Sequence, residues 1–158
     1  MFSDQLATPI GNLRIEADHA AVYSIQFNAE TAVHPNVVTE IAKTQLEAYF
    51  KGENLTFSFP MRQEGTPFQH KVWKTLKDIQ AGHPISYADL AVKMENPLAI
   101  RAIAAANGKN NLLIAVPCHR IIGSTGKLVG YAGGLWRKHW LLDHEARVCG
   151  IGQTSLFL

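Results

Sequence analysis

The first 60 residues combine strand-like alternation with one stretch of helical spacing. Residues 8–15 and 21–27 alternate apolar and polar positions, and a Gly-Asn pair inside the first stretch predicts the turn of a β-hairpin. Residues 37–52 follow a Pro-Asn pair and end at a glycine, with apolar positions on one helical face. Those positions are Val38, Ile41, Leu46, Tyr49 and Phe50. Residues 55–59 alternate again, so the pattern predicts a small sheet with one helix.

Helical spacing dominates beyond residues 60–67, PMRQEGTP, which have the composition of a linker. Residues 68–82 predict an amphipathic helix. Ser86 is placed to cap a short helix, and an Ala-rich second helix follows a turn at 95–97. Two short helices joined by a tight turn are typical of a helix-turn-helix. They are equally typical of an ordinary helical hairpin in a core, which is the commoner structure.

The last third of the chain passes from an apolar run to glycine-rich sequence and a final helix. Residues 112–117, LLIAVP, predict a buried strand or extended segment that ends at Cys118. The glycine-rich residues 121–136 carry two turn signals and predict a β-hairpin or wing and a loop. Residues 137–146 predict a helix with Trp140, Leu141 and His144 facing inward.

Composition narrows the class of protein. Hydrophobic residues make up 47% and charged residues 18% of the 158 residues, which provides a core and argues against disorder. No apolar run approaches the roughly 20 residues that a membrane helix needs, and the N-terminus lacks a secretion signal. We therefore expect a cytoplasmic protein without membrane contact. The two cysteines, Cys118 and Cys149, are too few for a four-cysteine zinc site.

Charge is distributed unevenly along the chain. Residues 1–66 hold four Lys/Arg against eight Asp/Glu, a net of −4. Residues 67–158 hold eleven Lys/Arg against five Asp/Glu, a net of +6. A basic half of this kind favours an anionic partner, of which nucleic acid is the obvious candidate.

The dipeptide Cys118-His119 is the clearest candidate for chemistry. A thiol becomes an effective nucleophile when a nearby His or cation makes the thiolate accessible. Adjacent residues of a strand point to opposite faces, so contact requires a bend or a bridging water. A base also needs an orienting carboxylate, for which Asp143 and Glu145 are both placed on the last helix. Spacing does not choose between them, and a buried Cys beside a surface His is the simpler alternative.

Residues 111–145, NLLIAVPCHRIIGSTGKLVGYAGGLWRKHWLLDHE, strongly resemble the signature of methylated-DNA–protein-cysteine methyltransferases, the O6-alkylguanine-DNA alkyltransferases. The stretches FQHKVW, ISYADLA and NPLAIRAIAAAN precede it in the order of that family, so the resemblance covers about residues 68–147. It implies an α+β protein with an N-terminal, ribonuclease H-like α/β domain over residues 1–66. A mainly helical domain with a winged helix-turn-helix, which binds DNA and accepts the alkyl group, is implied over 67–158.

The resemblance also implies the reaction and its residues. Cys118 corresponds to the acceptor that takes the alkyl group from O6 of guanine irreversibly, once per molecule. His119 corresponds to the base that acts on the thiol through a water, and Glu145 to the carboxylate that orients it. Asn110 corresponds to a hinge, and Tyr87 to a residue that donates to guanine N3 and helps turn out the phosphate. The remaining correspondences are the DNA contacts Arg101, Ala102, Tyr87 and Arg120, and the alkyl-pocket residues Tyr131, Ala132 and Gly133.

Elementary chemistry supports this set of residues. The target atom lies inside the duplex, so the nucleotide must be turned out at a cost of a few kcal/mol. An Arg on a helix of small residues can enter a groove and fill the space left behind. Guanine leaves readily only if N3 receives a proton or hydrogen bond, which a Tyr hydroxyl supplies. No metal or organic cofactor is required.

One departure from the family pattern concerns substrate preference. Ala132 stands where some relatives carry Ser, so a backbone N–H must serve O6 there. O4-alkylthymine is a second candidate substrate, and the expected partner is duplex DNA containing O6-alkylguanine, bound by a monomer.

Three other functions fit these residues less well than alkyl transfer. A lesion binder without chemistry is disfavoured because Cys, His and Glu are all present. A winged-helix transcription regulator is disfavoured because the Ala-rich helix offers few side chains that read base edges. A cysteine hydrolase is the weakest alternative, since no substrate cleft is indicated. Cys149 lies outside the matched core and is expected to be a bystander.

Overall fold

The computed structural model describes residues 1–151, which divide into two compact units. The first holds residues 1–64 and 111–115, and the second holds residues 65–110 and the described residues from 116 onward. The five-residue segment 111–115 belongs to the first unit, so the two units are not separated by a single boundary in the sequence. The division into domains at 66/67 stays a prediction.

The first unit is built on a three-stranded antiparallel sheet. Its strands are β1 (Phe2–Thr8), β2 (Gly11–Ala17) and β3 (Val22–Phe27), in that order across the sheet. The predicted hairpin is present, but its turn lies at Pro9-Ile10, and the Gly-Asn pair belongs to β2. The Thr8 hydroxyl fixes this turn, because it donates to the Gly11 carbonyl at 2.6 Å and accepts from the Ile10 N–H at 3.1 Å.

In the first unit, helix α1 (Val37–Phe50) follows β3 in the sequence. Asn36 caps it, since its side chain accepts from the Thr39 N–H at 2.9 Å while Thr39 returns the bond. The buried face differs from the predicted one at Ile41, which is 43% exposed. The buried residues are Val38, Thr39, Ala42, Leu46 and Tyr49.

Residues 55–59 do not form the predicted strand. Their burial alternates as predicted, with Phe59 buried, but no neighbouring strand pairs with them. The aromatic rings supply the packing instead, with Phe57 centred 5.7 Å from Tyr49 and 6.0 Å from Phe59. An alternating pattern thus reports a half-buried extended segment even where backbone pairing is missing.

The second unit is mainly helical. Its helices are α2 (Pro67–Leu76), α3 (Tyr87–Lys93), α4 (Ile100–Gly108) and α5 (Leu135–Val148), with a one-turn 3-10 helix at Cys118–Arg120. Strands β4 (Ile85–Ser86) and β5 (Ile121–Ile122) pair in parallel. Ser86 caps α3 as predicted, and Thr66, at the end of the predicted linker, caps α2. The Trp73 indole N–H donates to the Ala106 carbonyl at 2.9 Å and so ties α2 to α4.

Two predicted elements of this region are absent. Residues 121–136 form no antiparallel hairpin, because β5 pairs with β4 and the Gly123 N–H closes a short loop on the Lys127 carbonyl at 2.7 Å. Residues 112–117 are buried as predicted, in turns and a single bridge rather than a regular strand. Over the described residues, no helix has both the length and the apolar character needed to cross a membrane.

Candidate active site

Cys118 opens the one-turn 3-10 helix and is 5% exposed. Three residues complete one turn of such a helix, so neighbouring side chains are not forced to opposite faces as they are in a strand. Asn110 supports the segment that leads into this turn, since its Nδ2 donates to the carbonyl of Val116, two residues before Cys118, at 2.8 Å. The structure therefore supplies the bend that a Cys-His pair requires.

His119 and Glu145 form a fully buried pair. His119 Nε2 lies 2.7 Å from Glu145 Oε2, and both side chains are inaccessible to solvent. A carboxylate accepts, so Nε2 carries the proton and Nδ1 is the basic nitrogen of the neutral ring. Nδ1 is buried and has no hydrogen-bond partner among residues 1–151. Glu145 thus orients the imidazole, and His119 Nδ1 is left able to accept a proton.

Of the two candidate carboxylates, Glu145 is the one that contacts His119. Asp143 lies within 3.4 Å of Arg147, one turn later on the same helix, in a partly exposed ion pair. Burial acts to raise the pKa of Glu145, but the hydrogen bonds from His119 and Arg120 and the charge of Arg120 outweigh it and hold that pKa below its ordinary value. Glu145 is therefore ionised at neutral pH and can orient the imidazole.

The sequence predicts Arg120 as a DNA contact, but the structure buries its side chain against Glu145. Its guanidinium grips Glu145 through two hydrogen bonds, Nε to Oε1 at 2.8 Å and Nη2 to Oε2 at 3.0 Å. Nη1 donates to the Ile79 carbonyl at 2.7 Å, and the side chain is buried. A buried guanidinium with three of its five N–H donors bound inside the protein is poorly placed to reach a phosphate, and its contacts fix the Glu145 carboxylate instead.

The Cys118 thiol needs a base to become a thiolate, because its pKa is raised. Burial raises the pKa of the Cys118 thiol to about 11, although a hydrogen bond from Asn110 and the charge of Lys138 act in the opposite direction. At neutral pH the resting group is therefore the thiol. Burial also lowers the pKa of His119, so the imidazole is neutral and able to accept the thiol proton.

Lys138 is a buried cation on the inward face of α5. Its ammonium donates to the carbonyls of Val129 and Gly130 at 2.8 and 3.2 Å, at the start of the GYAGGL stretch. Burial lowers its pKa to about 8, while the negative charge of a Cys118 thiolate acts to raise it. Lys138 thus fixes this loop and provides positive charge near the sulfur.

The GYAGGL stretch carries the three residues expected around the alkyl pocket. The Tyr131 ring is centred 6.4 Å from the His119 ring, and its hydroxyl is buried without a partner in the described chain. Burial and the neighbouring Cys118 raise the pKa of Tyr131 well above its usual range. Gly133 is buried and receives a 3.0 Å hydrogen bond from Arg137, whereas Ala132 is exposed.

Tyr87 and Asn107 reach the active-site turn from α3 and α4. Asn107 Nδ2 donates to the Tyr87 hydroxyl and to the Cys118 carbonyl, at 3.4 Å in each case. Burial raises the pKa of Tyr87, against the hydrogen bond from Asn107, which lowers it. Tyr87 is therefore a neutral phenol at physiological pH.

The outer face of α4 is exposed and carries Arg101 and Ala102. Arg101 makes no ion pair or hydrogen bond with the part of the chain that the structure describes, in contrast to Arg120. The opposite face holds Ile103, Ala106 and Asn107 in the interior. One helix thus joins a surface that an anion can reach to the active-site turn.

The family model for the DNA-binding domain of 6-O-methylguanine DNA methyltransferase matches residues 67–147. These residues include the cysteine turn, the His-Glu pair and the exposed face of α4. A methylated-DNA–protein-cysteine methyltransferase of Shigella flexneri is 38% identical over 167 aligned positions, which cover 92% of this chain and 95% of that protein. The chain belongs to the methylated-DNA–protein-cysteine methyltransferases.

Other relatives agree with this assignment. The constitutive methylated-DNA–protein-cysteine methyltransferase of Bacillus subtilis is 51% identical over 119 residues, covering 75% of this chain and 71% of that protein. The crystal structure of O6-methylguanine methyltransferase from Mycobacterium tuberculosis matches with a TM-score of 0.83 and 37% identity, over 92% of this chain and 93% of that one. The OGT of the same organism, crystallised in complex with DNA, matches with a TM-score of 0.85 and 35% identity over 99% and 98%.

The family predicted from the sequence motifs is thereby confirmed, as is the class of activity, a methyltransferase that uses a protein cysteine as acceptor. The mixed α/β character of the fold is confirmed by the same structural matches.

Two polar residues near the site were missed by sequence analysis, Lys138 and Asn107. Lys138 precedes Leu141, Leu142 and Glu145 at intervals of three, four and seven, which places it on the inward face of the helix. Asn107 follows Ile103 by four residues on the buried face of an otherwise small-residue helix. A polar residue on an apolar stripe was the available signal in both cases.

Proposed function

We propose that this methyltransferase repairs duplex DNA by moving the alkyl group of O6-alkylguanine onto its own Cys118. O4-alkylthymine is a second substrate in this proposal. The observation that carries it is the buried His119–Glu145 pair next to Cys118, in which His119 Nδ1 has no partner among the described residues. An oriented, neutral imidazole beside a protonated thiol is what activation of a cysteine nucleophile requires.

The transfer step conserves atoms and charge. His119 accepts the thiol proton at Nδ1 through a bridging water, and Glu145 stabilises the resulting imidazolium. The Cys118 sulfur then forms a bond to the alkyl carbon as the bond from that carbon to O6 breaks. The electron pair of the broken bond moves onto the guanine ring, which takes a proton and is released as ordinary guanine. Because a thioether is a very poor leaving group, each molecule reacts once.

Tyr87 assists departure of the base in this proposal. Its neutral hydroxyl donates to N3 of guanine as negative charge develops on the ring. Tyr131, Ala132 and Gly133 surround the alkyl group, and the backbone N–H near Ala132 serves O6. Lys138 supports this pocket by binding the carbonyls of Val129 and Gly130.

DNA is bound by α3 and α4 acting as a helix-turn-helix with the glycine-rich loop as a wing. Arg101 projects from the exposed face of α4 and fills the space that the extruded nucleotide leaves, next to the small Ala102. The excess of basic residues after residue 66 supports phosphate binding. Asn110 acts as the hinge that joins α4 to the active-site turn.

The decisive experiment is the mass of the intact protein after incubation with duplex DNA that contains one O6-methylguanine. We expect a gain of one methyl group, at most one per molecule, mapped to the peptide with Cys118. A parallel duplex with one O4-methylthymine tests the second substrate.

Two cysteine variants control this experiment. Cys118→Ser should take up no methyl group and still bind DNA, whereas Cys149→Ser should behave as the unaltered protein because Cys149 is exposed and remote in sequence from the turn. Selective binding of the lesion without any gain in mass would reject alkyl transfer and identify a lesion-marking protein.

A further inference from the structure

Asn107 occupies the interior in a way that gives little stability. Its side chain is buried, and its Nδ2 makes two long hydrogen bonds of 3.4 Å. Its Oδ1 is buried without any partner in the described part of the chain. An unsatisfied buried carbonyl oxygen costs free energy, and an apolar side chain of the same size avoids that cost. The residue therefore has to be explained by something other than packing.

The orientation of the amide is fixed by its surroundings. The Cys118 carbonyl can only accept, so the Nδ2 side of Asn107 must face it. The same nitrogen then faces the Tyr87 oxygen, and the Tyr87 hydroxyl is obliged to act as acceptor in that contact. Its own proton consequently points elsewhere and is available for donation.

We infer that Asn107 is a positioning residue that directs the Tyr87 hydroxyl proton toward the bound base. The inference rests on the proposed function of Tyr87 as a donor to N3 of guanine. Asn107 connects that donor to the backbone of Cys118, so the group that protonates the leaving base is tied to the residue that attacks the alkyl carbon. Donation from Nδ2 also makes the phenol a better donor, because the hydrogen bond stabilises its oxygen as the proton moves.

The test is a double-mutant cycle on the rate of methyl transfer under single-turnover conditions, with saturating O6-methylguanine duplex. Asn107→Leu removes the amide and keeps the volume, and Tyr87→Phe removes only the hydroxyl. We expect Asn107→Leu to slow transfer about tenfold, as for loss of one hydrogen bond in the transition state. In the Tyr87→Phe background the same change should slow transfer less than about twofold.

Stability and binding measurements separate positioning from a structural role. Asn107→Leu should unfold at the same temperature as the unaltered protein or higher, and its dissociation constant for the duplex should be unchanged. Ile103→Val, a buried apolar change one turn earlier on the same helix, is the matched control and should leave the rate as it is. Asn107→Ala is a second variant that keeps the helix propensity of α4 and should show the same dependence on Tyr87.

Each other outcome has a definite meaning. An equal loss from Asn107→Leu in both backgrounds would overturn the inference, as would a variant as fast as the unaltered protein. If Tyr87→Phe alone transfers methyl at the unaltered rate, the proposed role of Tyr87 fails, and the positioning role fails with it. Methyl transfer to Cys118 would stand in all of these cases.

Discussion

The Nε2 atom of His119 lies 2.7 Å from Oε2 of Glu145, and Arg120 holds both oxygens of the same carboxylate. Three consecutive residues of the chain, Cys118 to Arg120, thus carry the thiol, the base and the cation that fixes the orienting carboxylate. The carboxylate itself comes from α5, 26 residues after His119. The orientation of the base therefore depends on one buried carboxylate, to which the turn makes three hydrogen bonds.

Glu145→Gln should impair both transfer and stability. Transfer should slow by about a hundredfold, because the imidazolium loses its counter-charge. The free energy of unfolding at pH 7 should fall by about 3 kcal/mol, because Arg120 is left as a buried charge without a partner. Urea unfolding and single-turnover transfer measure the two effects.

The pH dependence of this variant gives an independent check. The pKa of Glu145 is lowered in the folded protein, so its stabilising contribution is fully present above the unfolded-state pKa of about 4.3 and is lost as the pH falls further. The difference in unfolding free energy between the unaltered protein and Glu145→Gln should therefore shrink below about pH 4. A constant difference from pH 7 to pH 3 would contradict an ionised Glu145.

Arg120→Met should destabilise the protein without weakening its binding of DNA. The guanidinium contacts Glu145 and the Ile79 carbonyl inside the protein, so its removal leaves the buried Glu145 carboxylate without its cation. The free energy of unfolding should fall by about 3 kcal/mol as a result. The dissociation constant of the folded variant for duplex DNA, and its slope against salt concentration, should equal those of the unaltered protein. A reduced salt slope with unchanged stability would restore Arg120 as a phosphate contact.

Arg101→Ala should affect repair of duplex DNA selectively. If Arg101 stabilises the extruded state, its loss should slow transfer from duplex O6-methylguanine by about a hundredfold, which corresponds to a few kcal/mol. Transfer from the free base O6-benzylguanine needs no extrusion and should change less than twofold. Lys109→Ala removes an exposed cation at the other end of α4 and serves as the control, with a small loss on the duplex. Equal losses on both substrates would refute the role of Arg101.

Lys138→Met should slow transfer and alter the alkaline stability profile. The ammonium acts to lower the pKa of Cys118, so its removal should move the rise of the transfer rate to higher pH.

Burial lowers the pKa of Lys138 to about 8, so the folded protein releases this proton before the unfolded chain does. Relative to the Met variant, the free energy of unfolding should therefore rise between about pH 8 and pH 10.4. For this stability measurement both proteins should also carry Cys118→Ser, which removes the titration of the thiol. If the two curves of unfolding free energy against pH run parallel, Lys138 is not a buried cation with a lowered pKa.

Local features of the fold were predictable because short-range interactions determine them. The cap at Ser86 and the apolar stripe of α2 each depend on residues that are close together in the sequence. The strand at 55–59 and the hairpin at 121–136 were wrong because strand formation needs a partner, and the sequence of one segment does not report which partner is present. The same limit placed the first turn at Gly-Asn when the register of β1 and β2 puts it two residues earlier.

The sequence by itself determined the family and its chemistry, since the order of motifs around Cys118 and His119 is a property of the chain alone. Only the tertiary structure decided which carboxylate orients the base, that Arg120 is a buried support, and that Lys138 and Asn107 lie beside the reacting groups. These facts depend on burial and on contacts between residues 8 to 41 positions apart. A charged or polar side chain has the same sequence signature whether it meets solvent or a distant partner, and its environment in the fold determines its role.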